Sequence, residues 1–123
     1  MSRNPPSLSI EPCFRINYGR KLAFGPGKAE LLEHIGRVGS ITEAAKAMGM
    51  SYMRAWSMVK SMDRGLAEPL VRKARGGNAR GGAELTNTGR EVLKLYRELE
   101  SKTANLVADS QKRFLSLTKK PTL

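Results

Sequence analysis

The sequence contains very little cysteine and histidine. Its 123 residues include one of each, Cys13 and His34. One cysteine cannot form a disulfide within the chain, and one Cys with one His falls short of the ligands that a zinc site needs. We therefore expect no metal and no cofactor, and we interpret Cys13 as a small packed residue.

Sequence features of enzymes are equally scarce. His34 lies in the middle of a predicted helix, without a partner for nucleophilic or metal chemistry. Residues 25–28 (GPGK) look like the end of a phosphate-binding loop, but that pattern needs Gly at Leu22 and Ser or Thr at Ala29. We expect that the protein is not an enzyme.

Long apolar runs are missing too. No segment approaches the roughly 18 apolar residues that a membrane-spanning helix requires. The first residues are polar and contain Pro5 and Pro6, which is unlike a signal peptide. These features predict a cytoplasmic protein that makes no contact with a membrane.

Acidic residues are the last scarce group. There are 11 of them against 22 lysines and arginines, which gives a formal net charge of +11 and a pI of about 10.3. Such a basic chain favours a polyanionic partner, and neutralised phosphates of nucleic acid release counterions that add affinity. An anionic membrane surface is the alternative, but the chain has no basic amphipathic helix with aromatic residues on its apolar face. Nucleic acid is therefore the preferred partner.

What the sequence does contain is a series of short regular elements. Residues 14–18 alternate apolar and polar side chains, and residues 21–24 follow after a glycine, which predicts a β-hairpin or a pair of short edge strands. Apolar residues then recur at helical spacing from Leu31 to Val38. This pattern predicts a first helix over residues 26–37.

Two further helices are marked by capping residues. Ser40 is followed three residues later by Glu43, the pattern of a capping box, and Ser51 is placed to cap the next helix. Gly49 between them permits a backbone conformation that a residue with a Cβ would resist. Alanines on the first of these helices let the other approach closely. The segment therefore predicts a helix-turn-helix.

The third helix, expected to end near Arg64, has an apolar stripe that we interpret as core and a polar face. That face contains Tyr52, Arg54, Ser57, Lys60 and Ser61. Residues 70–75 and 83–85 are predicted to be the strands of a hairpin around a glycine-rich tip. Four cations and no acid lie from Arg72 to Arg80. This favours a wing along a phosphate backbone over a solvated loop.

The last helix, capped by Thr86, is more apolar than a small domain needs for its own core. An a/d seam runs along it, with residues three and four apart. The residues of the seam are Val92, Tyr96, Leu99, Thr103 and Leu106. We predict that this seam is the interface of a homodimer, and the alternative is a helix packed on its own domain. Beyond Lys112 we expect the chain to fray.

A family resemblance adds to this interpretation. Residues 40–66 and 85–89 (LTNTG) resemble the helix-turn-helix of LysR-type regulators and the N-terminal domain of the ModE family of molybdate-dependent regulators. Residues 51–56 (SYMRAW) and the glycine pairs of the predicted wing are closer to ModE. The resemblance covers about residues 14–108, and it implies a sequence-specific DNA-binding transcriptional regulator whose dimer binds a palindromic operator.

These expectations define a mainly α fold with a small β component. It is a winged helix-turn-helix with N-terminal strands, a β-hairpin wing and a long C-terminal dimerisation helix. We expect a flexible leader over residues 1–12 and a DNA-binding domain over residues 13–108, with the dimerisation helix from about residue 87. A basic tail over residues 109–123 would follow.

The third helix is expected to enter the major groove of double-stranded DNA with its N-terminal half. Tyr52, Arg54 and Ser57 would read bases, and Arg54 can form two hydrogen bonds to guanine. Phosphate contacts are expected from groups at helix N-termini and from the wing. These residues are Ser40, Thr42, Ser51, Lys60, Arg72, Arg75, Asn78 and Arg80. Trp56 is expected to pack under the helix, with contact to the sugar–phosphate backbone as the alternative.

A different class of function is also compatible with the sequence, namely a basic dimeric scaffold or protein-interaction module. ModE proteins typically continue into C-terminal domains that bind molybdate, and this chain stops at Leu123 without them. We therefore expect no small-molecule effector site and no response to molybdate from these 123 residues.

Overall fold

The computed structural model describes residues 8–74 and 82–119. Its elements are a β-hairpin (β1, Ile16–Tyr18; β2, Lys21–Phe24), three helices (α1, Pro26–Val38; α2, Ile41–Ala47; α3, Tyr52–Met62), a second hairpin (β3, Val71–Lys73; β4, Ala83–Leu85) and two C-terminal helices (α4, Asn87–Leu106; α5, Ala108–Leu117). Both hairpins are antiparallel. The prediction of a mainly α winged helix-turn-helix is confirmed. None of the helices in the described ranges is long and apolar enough to cross a membrane.

The two helices of the helix-turn-helix begin at the predicted caps. Ser40 Oγ accepts a hydrogen bond from the backbone N–H of Glu43 at 3.1 Å, and Ser51 Oγ accepts one from the N–H of Arg54 at 3.1 Å. Gly49, in the turn between the helices, has a φ of +65°. A side chain would strain the backbone in this left-handed region. Local chemistry therefore fixes both the start of α3 and its direction.

The core lies between α1, α2, α3, the second hairpin and α4. Its largest fully buried side chains are Phe24, Leu31, Leu32, Ile35, Met62, Leu70 and Tyr96. Burial of one large apolar side chain stabilises a fold by about 1.5–3 kcal/mol. The predicted apolar stripe of α3, Ala55 with Val59 and Met62, faces this core. The remaining faces of α3 are consequently directed away from the core.

Tyr96 of α4 belongs to the core, although the sequence placed it in a dimer interface. Its ring meets that of Phe24 edge-on, with 5.2 Å between the centroids, and its hydroxyl donates a hydrogen bond to the carbonyl oxygen of Phe14 at 2.8 Å. Burial, followed by the charge of Glu100, raises the pKa of Tyr96, which keeps the hydroxyl protonated as a donor. The side chain is 1% exposed. A residue this deeply buried cannot contact a second chain.

The lysine of the GPGK segment has a structural role. Lys28 is buried, and its Nζ donates a hydrogen bond to the carbonyl oxygen of Leu22 at 2.9 Å. Burial, and to a smaller extent the charge of Arg64, lowers the pKa of Lys28. The lysine thus connects α1 to β2 and is not presented to a phosphate, which agrees with the mismatch to a phosphate-binding loop.

The N-terminal residues differ in one respect from the expectation. Residues 8–12, the described part of the predicted leader, form neither helix nor strand. Cys13, which follows them, is exposed. Its interpretation as a small packed residue is therefore wrong.

The C-terminal residues are more ordered than expected, because α5 continues to Leu117 instead of fraying beyond Lys112. The two last helices are separated at Val107. One turn earlier, the Thr103 hydroxyl donates a hydrogen bond to the carbonyl oxygen of Leu99 at 2.7 Å, a type of bond that bends helices. The predicted seam from Val92 to Leu106 therefore lies entirely on α4, and α5 is a separate helix.

The start of α4 approaches the backbone before β3 very closely. The Thr86 hydroxyl oxygen accepts a hydrogen bond from the N–H of Gly89 at 2.9 Å and donates one to the carbonyl oxygen of Pro69 at 2.7 Å. A Cβ on Gly89 would lie 2.2 Å from the carbonyl oxygen of Leu70. Only glycine permits this approach, which explains the glycine of the LTNTG segment.

Gly89→Ala should therefore destabilise the protein, because the added methyl group must push the Leu70 backbone aside. Overpacking of this kind costs typically about 1–3 kcal/mol. Urea unfolding followed by circular dichroism measures the decrease in stability. Gly27→Ala is the matched control, since this glycine also lies in the first turn of a helix and its Cβ would lie 3.7 Å from the Met58 side chain. Equal stability of the two variants would contradict the close approach.

Candidate nucleic-acid interface

The side chains of α3 that point away from the core fall into a centre and two flanks. Since the buried stripe faces inward, helical periodicity places Met53 and Ser57 opposite it. Arg54 lies on one flank, and Tyr52 and Trp56 lie on the other. All five side chains are exposed. The three predicted base-reading residues, Tyr52, Arg54 and Ser57, thus all reach the surface, but they do not share one side of the helix.

Met53 is a candidate that the sequence analysis missed. It is 66% exposed in the first turn of α3, at the centre of the outward face. An apolar side chain at this position suits the methyl group of thymine in the major groove. The sequence could have indicated this role, because Met53 lies outside the apolar stripe of α3. A methionine outside that stripe is not needed for the core and is free to contact a ligand.

The serines and threonine predicted to contact phosphate lie at the starts of α2 and α3. Ser40 and Ser51 each use an oxygen lone pair to cap a helix, and Thr42 is exposed in the first turn of α2. A capping hydroxyl accepts a hydrogen bond and keeps its own proton to donate. Both capping serines therefore retain a donor for a phosphate oxygen while they hold their helices.

The second hairpin is fixed beside these caps. The N–H of Ala83 donates a hydrogen bond to the carbonyl oxygen of Gly39 at 2.9 Å, and Gly82 forms a β-bridge with Ser40. Gly39 itself has a φ of +72°, which turns its backbone out of α1. The start of β4 is therefore joined to the turn between α1 and α2, and residues of the hairpin and of α3 line a common groove.

A groove of about 400 Å³ lies between α3 and the second hairpin. The helix contributes Tyr52, Trp56 and Lys60 to it, and the hairpin contributes Val71 and Lys73. Lys73, which was not among the predicted contacts, is exposed and basic. The groove opens on the same side of the molecule as the first turns of α3.

Arg72, a predicted phosphate contact, also lines the groove but is partly engaged. Its Nε lies 2.9 Å from Oε1 of Glu84 on the neighbouring strand. The pair is exposed, so it contributes little to stability, and it partly neutralises the charge that Arg72 could offer to a phosphate. Three other predicted contacts, Arg75, Asn78 and Arg80, lie outside the described residues.

A second exposed surface follows the C-terminal helices. Leu99 and Leu106 of the predicted seam are exposed, and Leu106 is 80% exposed. Val92 and Thr103 are half-buried. Leu95, which the seam prediction omitted, is exposed four residues before Leu99. The exposed apolar line therefore keeps Leu99 and Leu106 of the predicted seam but contains Leu95 in place of Tyr96, which faces the core.

Helix α5 also carries exposed apolar side chains. Phe114, Leu115 and Leu117 are large, apolar and exposed. A monomeric protein seldom leaves so many large apolar side chains on neighbouring helices without a partner. These exposed apolar residues of α4 and α5 belong to other elements than the basic groove residues, which lie on α3 and the second hairpin.

Comparisons with known proteins agree with this geometry. The model of the family described as bacterial regulatory helix-turn-helix protein, lysR family, matches residues 27–90. These residues run from α1 through α3 and the second hairpin to the first turn of α4. They thus contain every element that surrounds the groove.

Three curated proteins illustrate the similarity. The chain is 42% identical over 88 residues to the molybdenum-pterin-binding protein MopB of Rhodobacter capsulatus, a match that covers 72% of this chain and 33% of MopB. It is 42% identical over 78 residues to the molybdenum transport protein ModE of Azotobacter vinelandii, covering 63% of this chain and 29% of that protein. It is 36% identical over 105 residues to the DNA-binding transcriptional dual regulator ModE of Escherichia coli K12, covering 83% and 40%.

These matches confirm the resemblance to the ModE N-terminal domain. The chain spans about a third of the length of the curated relatives that it matches. The family model covers more than half of the chain. The chain therefore belongs to the lysR family of bacterial regulatory helix-turn-helix proteins.

Proposed function

We propose that the protein is a transcriptional regulator that binds a palindromic operator in double-stranded DNA as a homodimer. The observation that carries the proposal is the position of α3: its buried stripe holds it on the core, while its exposed first turns lie beside a basic hairpin. A helix in this position can enter the major groove while the hairpin follows the backbone. The net charge of +11 adds affinity for phosphate.

The roles of individual residues follow from their positions. Arg54 is proposed to read guanine, and Tyr52, Met53 and Ser57 to contact neighbouring base edges. Ser40, Thr42 and Ser51 are proposed to contact phosphates from the helix N-termini, together with Lys60, Arg72 and Lys73 from the walls of the groove. Base contacts supply sequence preference, whereas phosphate contacts supply register and affinity.

The rival proposal is a basic scaffold that binds a protein partner and uses its charge only for solubility. Retention on heparin would not separate the two, because both are basic. Selection from a pool of random duplexes separates them. We expect the selection to recover a palindrome, and recovery of no preferred sequence would favour the scaffold. The absence of a molybdate response from these residues stays a prediction.

The homodimer is proposed from the apolar surface of α4 and α5. Leu95, Leu99 and Leu106 are spaced four and seven residues apart, which puts them on one side of α4. A second copy of the same surface would cover them around a twofold axis. Two linked α3 helices would then bind two half-sites of one operator.

Arg54→Ala tests the base-reading role. On the best operator the variant should bind more weakly by about 1–3 kcal/mol, and its preference at one position of each half-site should become flat. Lys60→Ala is the matched control from the same helix. It should weaken binding to all duplexes alike and reduce the slope of log affinity against log salt by about one for each phosphate that is no longer neutralised. Identical behaviour of the two variants would show that α3 does not read bases through Arg54.

Replacement of Leu99 and Leu106 by glutamate tests the dimer. The double variant should sediment as a monomer, since two carboxylates would have to be buried in the interface. Its operator binding should be much weaker, because the half-sites are no longer bound by linked chains. Ile16→Glu is the control, as it adds a charge to an exposed apolar position of the first hairpin. A double variant that remains dimeric would place the interface elsewhere.

A further inference from the structure

Base reading does not account for the groove between α3 and the second hairpin. Its apolar lining includes Trp56 and Val59 from the helix, Val71 from β3 and Ile41 from α2. Val59 is buried, but Trp56 is 40% exposed. An indole that is exposed to this extent beside buried apolar residues can pack against an apolar part of a ligand. Trp56 therefore does not simply pack under the helix, which was its expected role.

Cations stand on both walls of the groove. Lys60 Nζ lies 5.5 Å from the centre of the Trp56 ring, where the face of the indole attracts it. Arg72 and Lys73 stand on the hairpin wall. Among the described residues that line the groove, none is acidic. The groove thus has an apolar middle between two basic walls, with Arg72 partly neutralised by Glu84.

The pattern matches the chemistry of a nucleic-acid strand. Along such a strand, charged phosphates alternate with sugars whose carbon faces are largely apolar. A helix that lies in the major groove brings its flank against one strand, and Tyr52 in the first turn of α3 lines the same groove. A strand bound there would place a sugar on the indole and its neighbouring phosphates beside the cations.

We propose that this groove binds one strand of the operator, with Trp56 packed on a deoxyribose and Lys60 on an adjacent phosphate, and that Trp56 thereby selects deoxyribose over ribose at that position. The inference rests on the proposed function, since it requires a duplex bound by α3. The selection has a simple physical cause. A ribose would press its 2′-hydroxyl against the indole, where the hydroxyl loses its hydrogen bonds to water.

A ribonucleotide scan of the selected operator tests the proposal. One deoxyribose at a time is replaced by ribose in each half-site, and the Kd is measured by fluorescence anisotropy with the full chain. We expect one position in each half-site at which ribose raises the Kd about five- to twentyfold, which corresponds to burial of one poorly hydrated hydroxyl. Ribose at most other positions should change the Kd by less than about twofold on the same scale.

Variants show whether the indole causes this effect. In Trp56→Ala, the Kd for the all-deoxyribose operator should rise about tenfold, and the sensitivity to ribose at the marked position should disappear. Trp56→Phe keeps an aromatic ring and should keep most of both effects. Tyr18→Ala is the control, because it removes an exposed aromatic ring from the first hairpin beside Gly65, beyond the C-terminal end of α3. Thermal unfolding of each variant checks that it is folded.

The outcomes separate this inference from the proposed function. If the wild-type protein binds a palindrome but shows no position sensitive to ribose, the inference is overturned and the proposed function stands. The same holds if the sensitivity survives in Trp56→Ala. If the wild-type protein selects no duplex sequence at all, the proposed function fails, and the inference fails with it.

Discussion

The attachment of the second hairpin to the turn after α1 is the constraint on which the basic surface depends. One backbone hydrogen bond, from Ala83 to Gly39, and one β-bridge, between Gly82 and Ser40, hold the hairpin beside α3. Burial of Leu70, Ala83 and Leu85 in the core holds the same hairpin on its other side. Ser40 also caps α2, so the same residue positions the hairpin and starts the helix-turn-helix. The start of α2 and the position of the hairpin are therefore linked through one residue.

The elements with local causes could be predicted from the sequence. A serine cap needs only the N–H groups of the next turn, and Gly49 needs only its own φ, so the helix-turn-helix was predicted closely. Strand residues 71–73 and 83–85 were also predictable from β-propensity on both sides of glycines. The exposure of Tyr52, Arg54 and Ser57 followed from the helical spacing of the core residues.

The orientation of the last helix could not be predicted in the same way. Apolar spacing shows that a stripe exists, but it is identical for a helix packed on its own domain and for one packed on a partner. The side of α4 that faces the core is fixed by the contacts of Tyr96 with Phe14 and Phe24, and both residues lie more than 70 positions away in the chain. The exposure of Trp56 could not be predicted either, because it depends on how closely the second hairpin approaches this side of α3.

Packing and an ion pair connect α1 with α4, which carries part of the exposed apolar side chains. Arg97 of α4 donates hydrogen bonds to Glu33 of α1 at 3.0 Å and to Glu100 at 2.8 Å, and the Glu100 bond is the main reason that the pKa of Arg97 is raised. Tyr96 beside it is fixed in the core. Since α1 also packs against α2 and α3, helices α3 and α4 are both positioned by α1. In a dimer built on α4, the distance between two α3 helices would then depend on this packing and not on a flexible connection. In the proposed dimer, the half-site spacing of the operator would therefore depend on packing within the core of each domain.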